Sequence, residues 1–192
     1  MNRIIAVLMT TLVCGYGHAQ EIVIGQCVPL SGALANTGVD IAFGARLAVD
    51  AANAVGGVNG HKIRLIQKDD GNQVDKTVQC TEGLIKNDNA VALIGYVGTD
   101  NVEELVKRKT LADAGIALIA PYTGSEVLRG SPNIFHVRAS YADETAKIVE
   151  QFARSGLKRI AVFYQNDAFG EAGLADVETA LAKQGNKIVA KG

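Results

Sequence analysis

Two short loops carry the side chains in this sequence that are best suited to binding an anion. Residues 95–100 read Gly-Tyr-Val-Gly-Thr-Asp after an apolar run at 91–94, and residues 121–125 read Pro-Tyr-Thr-Gly-Ser after a second run at 116–120. Each loop follows a predicted buried strand, and in an open parallel sheet ligands bind at that edge. Hydroxyls and free backbone N–H groups there suit a carboxylate. The predicted contact residues are Tyr96, Gly98, Thr99, Asp100, Tyr122, Thr123, Gly124 and Ser125.

Each of these residues also fits a purely structural role. Thr99 and Asp100 stand where a helix N-cap belongs, and capping is compatible with ligand contact. Thr123 and Ser125 fit a turn, because a proline and a glycine flank this segment. The two tyrosines fit either core packing or a pocket wall that keeps its hydroxyl tips polar.

The sequence lacks the motifs that enzymes on α/β folds use. No G-x-G-x-x-G follows the first predicted strand, and neither a phosphate-binding loop nor a G-x-S-x-G turn occurs. Asp69 and Asp70 form a carboxylate pair that suits acid–base or metal chemistry, but also helix capping and surface charge. We therefore expect a binding protein and not an enzyme, with no cofactor and no metal.

The first nineteen residues have the layout of a secretory signal peptide. Arg3 supplies a positive charge, residues 4–13 form an apolar run too short to span a bilayer, and small residues precede a cleavage point after Ala19. A lipoprotein site at Cys14 is disfavoured because Val13 stands where a small residue is needed. The chain is expected to be exported.

Charge excludes two classes of partner. The chain has 19 basic and 20 acidic residues, and removal of residues 1–19 leaves 18 and 20. Without a basic run or any tryptophan, the chain offers no surface for nucleic acid or anionic membranes. Two cysteines remain after cleavage, Cys27 and Cys80, and they fit either a disulfide or two buried free thiols.

Apolar runs and amphipathic segments alternate along the chain. Strands are predicted at 21–25, 62–67, 91–94, 116–120, 133–138, 159–164 and 187–190, and helices at 37–55, 74–86, 101–114, 141–154 and 169–183. Helix 74–86 is expected to be capped by Asp or Asn near 70–72. Such alternation predicts an α/β fold with a doubly wound parallel sheet. A break at residues 129–141 is the best candidate domain boundary.

A series of landmarks then resembles one family. Its members are periplasmic solute-binding proteins of ABC importers, of the leucine/isoleucine/valine-binding type. The landmarks cover the whole chain after the signal peptide, and their order carries the resemblance: residues 24–32, 54–63, 69–71, 94–96, 119–121, 135–139 and 161–170.

The resemblance implies two lobes with the ligand in the cleft between them. Residues 20–138 would form a first-lobe segment and residues 139–192 the beginning of a second lobe. Thr99 with Gly98 and Asp100, and Thr123 with Gly124 and Ser125, would grip a carboxylate. Phe169 would supply an aromatic wall where the family often has tyrosine. Asp100 departs from the family pattern, since it brings negative charge toward the carboxylate.

The implied function is that of an extracytoplasmic binding component in the periplasm. It would deliver an amino acid (branched-chain-like) or a related small polar solute to the membrane permease of an ABC importer. The alternatives are a ligand-sensing domain of a receptor or regulator with the same fold, and a non-functional fragment. Because the family's chains continue through a second half, the resemblance also implies that this chain is truncated.

Overall fold

Five parallel strands form the larger sheet of this protein. The computed structural model describes residues 21–192. The strands lie in the order β2-β1-β3-β4-β5, and every neighbouring pair is parallel. Their bounds are β1 Ile22–Val28, β2 Ile63–Asp69, β3 Ala92–Ile94, β4 Ala117–Ile119 and β5 Ile134–Phe135. This is a doubly wound α/β sheet, as the alternating sequence pattern predicts.

Helices cover both faces of this sheet. They are α1 Ala35–Ala54, α2 Val74–Lys86, α3 Thr99–Lys107 and α4 Thr110–Ala114, and a short 3₁₀ helix follows at Glu126–Gly130. The chain runs from β1 to β2 in one direction and from β2 to β3 in the other, so right-handed crossovers place α1 and α2 on opposite faces. The main core on the α2 face includes Leu84, Leu93 and Leu118, all fully buried. A smaller cluster around Ala42 forms under α1.

A second, two-stranded sheet follows in the chain. It pairs β6 (Ile160–Val162) with β7 (Ile188–Lys191) in parallel, and α5 (Tyr141–Arg154) and α6 (Ala168–Ala182) accompany it. Val149, Ala180 and Leu181 form a separate core there. Ser140 and Asp143 make a reciprocal capping box at the start of α5. The domain limits at 138 and 139 remain a prediction, and the predicted signal peptide lies outside the described residues.

The structure corrects three local predictions. The helix predicted at 101–114 is two helices, because Lys109 adopts a left-handed conformation with φ 58°. Leu105 and Leu111 lie about 120° apart around an ideal helix, so this break lets both reach the core. β5 is confined to two residues. Helix α2 begins after Gln73 without a side-chain cap, so the predicted capping at 70–72 is replaced by other contacts.

Asp70, one of the residues expected to cap α2, is fully buried. Its carboxylate accepts hydrogen bonds from the backbone N–H of Asn72 at 2.9 Å and from the hydroxyl of Thr77 at 2.8 Å. Burial is the largest influence on this group and raises the pKa of Asp70, while both hydrogen bonds oppose that rise. The neighbouring Asp69 is exposed, and the hydroxyl of Ser31 and nearby backbone N–H groups lower its pKa.

A disulfide joins β1 to α2. Cys27 and Cys80 are bonded, with their Cα atoms 6.1 Å apart and a sequence separation of 53. The sulfur of Cys27 also accepts a hydrogen bond from the hydroxyl of Tyr96 at 3.2 Å. The bond ties β1, an interior strand of the sheet, to the helix that packs on it.

Removal of this disulfide is expected to destabilise the fold. Cys80→Ala should lower the free energy of unfolding by about 2–4 kcal/mol, because the unfolded chain regains the freedom that the closed loop denied it. Urea denaturation with and without reductant measures the effect. The wild type should respond to reductant and the variant should not. Equal stability of the oxidised and reduced wild type would contradict the assignment.

Asp70 should make stability depend on pH in the direction opposite to most carboxylates. Its pKa is higher in the folded chain than in the unfolded chain. As pH falls, the folded state therefore takes up this proton before the unfolded state does. The stability of the wild type relative to Asp70→Asn should therefore rise as pH falls through the raised pKa of the folded state, and level off below the unfolded-state pKa of about 4. Chemical denaturation across this range measures the difference. A relative stability that falls on acidification would refute it.

Candidate functional site

A cavity of about 600 Å³ opens at the carboxyl ends of all five strands of the larger sheet. The loops after β1, β2, β3, β4 and β5 each contribute to its wall, and α5 and α6 close the opposite side. In a doubly wound sheet such a crevice lies where the direction of winding reverses, here between β1 and β3. The cavity is lined by Ala33, Leu34, Thr37, Asn72, Val97, Gly98, Thr99, Asp100, Tyr122, Arg138, Tyr141, Glu144, Thr145, Ile148, Gln165, Asp167, Phe169 and Gly173.

The start of α3 is directed into this cavity. Gly98 is the N-cap residue, with φ 98° and no side-chain hydrogen bond to the helix. A Cβ atom there would lie 2.6 Å from the Oδ1 of Asn72, so both the conformation and the space require glycine. The first-turn N–H groups of α3 are therefore available to a ligand.

Hydrogen bonds from neighbouring loops hold the turn before α3 in place. The Nδ2 of Asn101 donates to the carbonyl of Val97 at 3.0 Å and to the Oδ1 of Asn72 at 2.9 Å. Asn72 in turn donates its backbone N–H to buried Asp70. This series links the end of β2 to the turn before α3, so the cavity wall is fixed by buried polar contacts.

Three hydroxyls meet at the cavity wall. The Oγ1 of Thr99 lies 2.8 Å from the Oγ1 of Thr123 and 3.3 Å from the hydroxyl of Tyr141. Tyr141 donates to Thr123 at 3.3 Å. Thr99 lines the cavity with only 1% of its surface exposed, and Thr123 is fully buried.

Arg138 lies among aromatic rings at the cavity edge. Its guanidinium carbon is 5.2 Å from the ring centroids of both Tyr122 and Tyr141, which is cation–π distance. The same side chain forms an ion pair with Glu144. Arg138 is therefore held in one orientation by two rings and a carboxylate.

Asp100 faces the start of α6 across the cavity. Its Oδ1 accepts a hydrogen bond from the backbone N–H of Ala168 at 3.3 Å, and Asp167 caps the same helix by accepting from the N–H of Gly170 at 2.9 Å. Negative charge is stabilised at a helix N-terminus. Phe169, the next residue along α6, is 45% exposed and packs edge-to-face on Tyr141 at 5.4 Å between ring centroids.

The structure brings five of the nine predicted site residues to the cavity: Gly98, Thr99, Asp100, Tyr122 and Phe169. Thr123, Gly124 and Ser125 are buried behind it instead. Ser125 donates its hydroxyl to Glu103 at 3.0 Å, and Gly124 lies against the ring of Tyr141.

Tyr96 differs most from its predicted position. Its side chain is fully buried in the main core, where its hydroxyl contacts Cys27 and the Oγ1 of Thr81 at 3.0 Å. Burial raises its pKa well above the usual tyrosine range. The preceding residue, Gly95, has a positive φ of 64°, a backbone conformation that favours glycine.

Sequence reasoning missed the residues that come from elsewhere in the chain. Arg138 and Tyr141 lie in the predicted boundary segment. Asn72 was interpreted only as a helix cap, and Thr37 only as the first residue of a predicted helix. The one available signal was positional: each follows a predicted strand, and all five strands end at the same edge.

Two other classes of site find no support in residues 21–192. In this described part of the chain, no group of three or more His, Cys, Asp and Glu side chains could hold a metal ion. Within the same residues, none of the helices has the length and apolar character needed to cross a membrane.

Comparisons with known proteins agree on one family. The family model described as periplasmic binding protein matches residues 21–192. An amino acid binding protein of Pseudomonas aeruginosa is 32% identical over 88% of this chain and 46% of its own length. Leu/Ile/Val-binding protein homolog 3 of Brucella melitensis is 27% identical over 86% of this chain and 45% of its own length.

A solved structure shows the same likeness. The substrate-binding periplasmic protein from Ralstonia solanacearum superimposes with a TM-score of 0.87 at 38% identity, over 89% of this chain and 48% of its own. The chain thus spans about half the length of the relatives it matches. These relatives are named as binding proteins and not as enzymes.

Proposed function

This chain belongs to the periplasmic binding protein family, and we propose that it is the solute-binding component of an ABC importer. Its ligand is an amino acid, branched-chain-like, or a related small polar solute. The observation that carries the proposal is the cavity at the carboxyl ends of the five strands, where Thr99 and the uncapped start of α3 meet an apolar and aromatic wall.

The start of α3 suits the carboxylate of such a ligand. Its first-turn N–H groups lack side-chain acceptors, and the hydroxyl of Thr99 lies beside them. Together they offer directional donors at the positive end of a helix dipole. Thr123, Gly124 and Ser125 contribute by supporting Thr99 from behind.

Other parts of the cavity wall suit an apolar side chain. Leu34, Val97 and Ile148 line the cavity together with the rings of Tyr122 and Phe169. Ile148 and Phe169 are half-exposed, so a ligand that covers them would remove apolar surface from water. A small aliphatic or aromatic group fits this part of the cavity.

The position of Asp100 removes the electrostatic objection to a carboxylate ligand. Its carboxylate is directed to the N–H of Ala168 at the start of α6. This bond also joins the two proposed lobes, residues 20–138 and 139–192, across the cleft. Closure of such a cleft around a ligand is the hinge motion expected of two-lobed binding proteins.

The remaining parts of the proposal follow from family membership. The protein would act in the periplasm after removal of the signal peptide near Ala19, and its macromolecular partner would be the membrane permease. The relatives named for amino acid and Leu/Ile/Val binding support this ligand class.

Ligand binding should be visible as thermal stabilisation. L-leucine, L-isoleucine, L-valine and benzoate are each added to the chain, with L-leucinol as the matched compound without a carboxylate. A ligand at 1,000 times its Kd stabilises the folded state by about 4 kcal/mol, so at least one acid should raise Tm by several degrees. L-leucinol should not. No shift with any acid at millimolar concentration would contradict the proposal.

Thr99→Val should weaken binding of the acid that gives this shift by about 1.5–3 kcal/mol, because a hydrogen bond to a charged group is lost. Isothermal titration calorimetry measures it. Thr179→Val is the matched control, since that hydroxyl bonds within α6 to the carbonyl of Ala175 and does not line the cavity. Equal losses in both variants would exclude a direct role for Thr99.

A further inference from the structure

Three hydroxyls form a closed triangle at the cavity wall: Thr99 and Tyr141 line the cavity, and Thr123 lies behind it. Thr99, Thr123 and Tyr141 are joined by distances of 2.8, 3.3 and 3.3 Å between their oxygens. Each hydroxyl has one proton to donate and two lone pairs that accept. The partner to which each hydroxyl donates its proton therefore depends on the hydrogen bonds that its oxygen already accepts.

Thr123 has both lone pairs occupied. It accepts from the backbone N–H of Ser125 at 3.3 Å and from the hydroxyl of Tyr141 at 3.3 Å. Its third contact is the Oγ1 of Thr99 at 2.8 Å, the shortest of the set. The proton on this short bond must therefore belong to Thr123, and Thr99 is the acceptor.

Thr99 then has to donate its own proton elsewhere. Within the described residues the acceptor in reach is the oxygen of Tyr141 at 3.3 Å. That distance is long for a bond between two hydroxyl groups, which prefer about 2.7–2.8 Å. Thr99 lines the cavity, so a ligand oxygen at normal distance would replace a weak bond with a good one.

We propose that Thr123 and Tyr141 are positioning residues that make Thr99 a hydrogen-bond donor to the ligand. This inference rests on the proposed function and specifies what the site recognises: an oxygen that only accepts, such as a carboxylate oxygen. A ligand group that must donate at this point would leave two protons facing each other.

The parts of the triangle are held by separate elements. Thr99 begins α3, Thr123 follows β4, and Tyr141 is the first residue of α5. The backbone N–H of Tyr141 donates to the carbonyl of Gly124 at 2.8 Å, and a Cβ at Gly124 would lie 2.7 Å from the Tyr141 ring. The capping box at Ser140 fixes the same end of α5. The orientation of the Thr99 hydroxyl thus requires α5 to be docked against the loop after β4.

A mutant cycle measured with L-leucine as the probe tests the role of Thr123. Thr123 is fully buried and does not line the cavity, so its effect on affinity cannot come from direct contact. Thr123→Val should weaken binding about five- to tenfold, since Thr99 loses its fixed orientation. Thr123→Ser should restore it to within about twofold. In a Thr99→Val background, Thr123→Val should add less than about twofold, because the hydroxyl it orients is gone.

Tyr141→Phe should behave in the same way, with a loss in the wild-type background that disappears in Thr99→Val. Equal losses in both backgrounds, for either residue, would show that these side chains act on folding or contact the ligand themselves. That result would overturn the inference.

A measurement without ligand separates this inference from the proposed function. In labelled protein, NMR should show a slowly exchanging hydroxyl proton between the two threonines that correlates with the Cβ of Thr123. Correlation with the Cβ of Thr99 would overturn the inference whatever the affinities. If L-leucine fails to bind the wild type while the Thr123 correlation is present, the choice of ligand is wrong and the positioning role stands.

Discussion

Reversal of the winding direction at β1 is the constraint on which the site depends. The chain runs from β1 to β2 on one side, crosses back to β3 on the other side of β1, and then continues to β4 and β5. Because right-handed crossovers then place α1 and α2 on opposite faces, no helix covers the carboxyl ends of β1 and β3. Loops from five strands can therefore reach one cavity. The start of α3 faces that cavity for the same topological reason.

Buried polar contacts hold these loops in place, and local hydrogen bonds offset the desolvation cost of burying the polar groups. Asp70 is fully buried yet bonded to Asn72 and Thr77, which limits the penalty of desolvating a carboxylate. Asn72 passes that restraint to Asn101 and so to the turn before α3. A loop fixed by apolar packing alone would leave its backbone donors without defined directions. The polar series instead places the first N–H groups of α3 before any ligand arrives.

How well the sequence predicts a structural feature depends on how far apart in the chain the interacting residues lie. Strand and helix types were predictable because apolar spacing is local, and so was the meeting of the loops after β3 and β4 at one edge of the sheet. Tyr96 was misplaced because the partners of its hydroxyl, Cys27 and Thr81, lie elsewhere in the chain, and spacing does not reveal them. Arg138 and Tyr141 were missed because their partners are distant in the chain: Arg138 packs on Tyr122, and Tyr141 on Thr99.

Helix capping explains why an anion would bind on one side of the cavity and not the other. Helices α5 and α6 begin at the cavity with their own carboxylates, Asp143 in the capping box and Asp167 at the N-cap, and Asp100 adds a further one to α6. Helices α1 and α3 also begin there, and neither has a side-chain cap. The positive ends of α5 and α6 are thus offset by carboxylates that accept their N–H groups. The starts of α1 and α3 have no such cap, and the acidic side chain in the first turn of α3, Asp100, is directed to α6 instead. In the function proposed above, this difference would favour a ligand whose carboxylate faces Thr99 and whose apolar part faces Phe169.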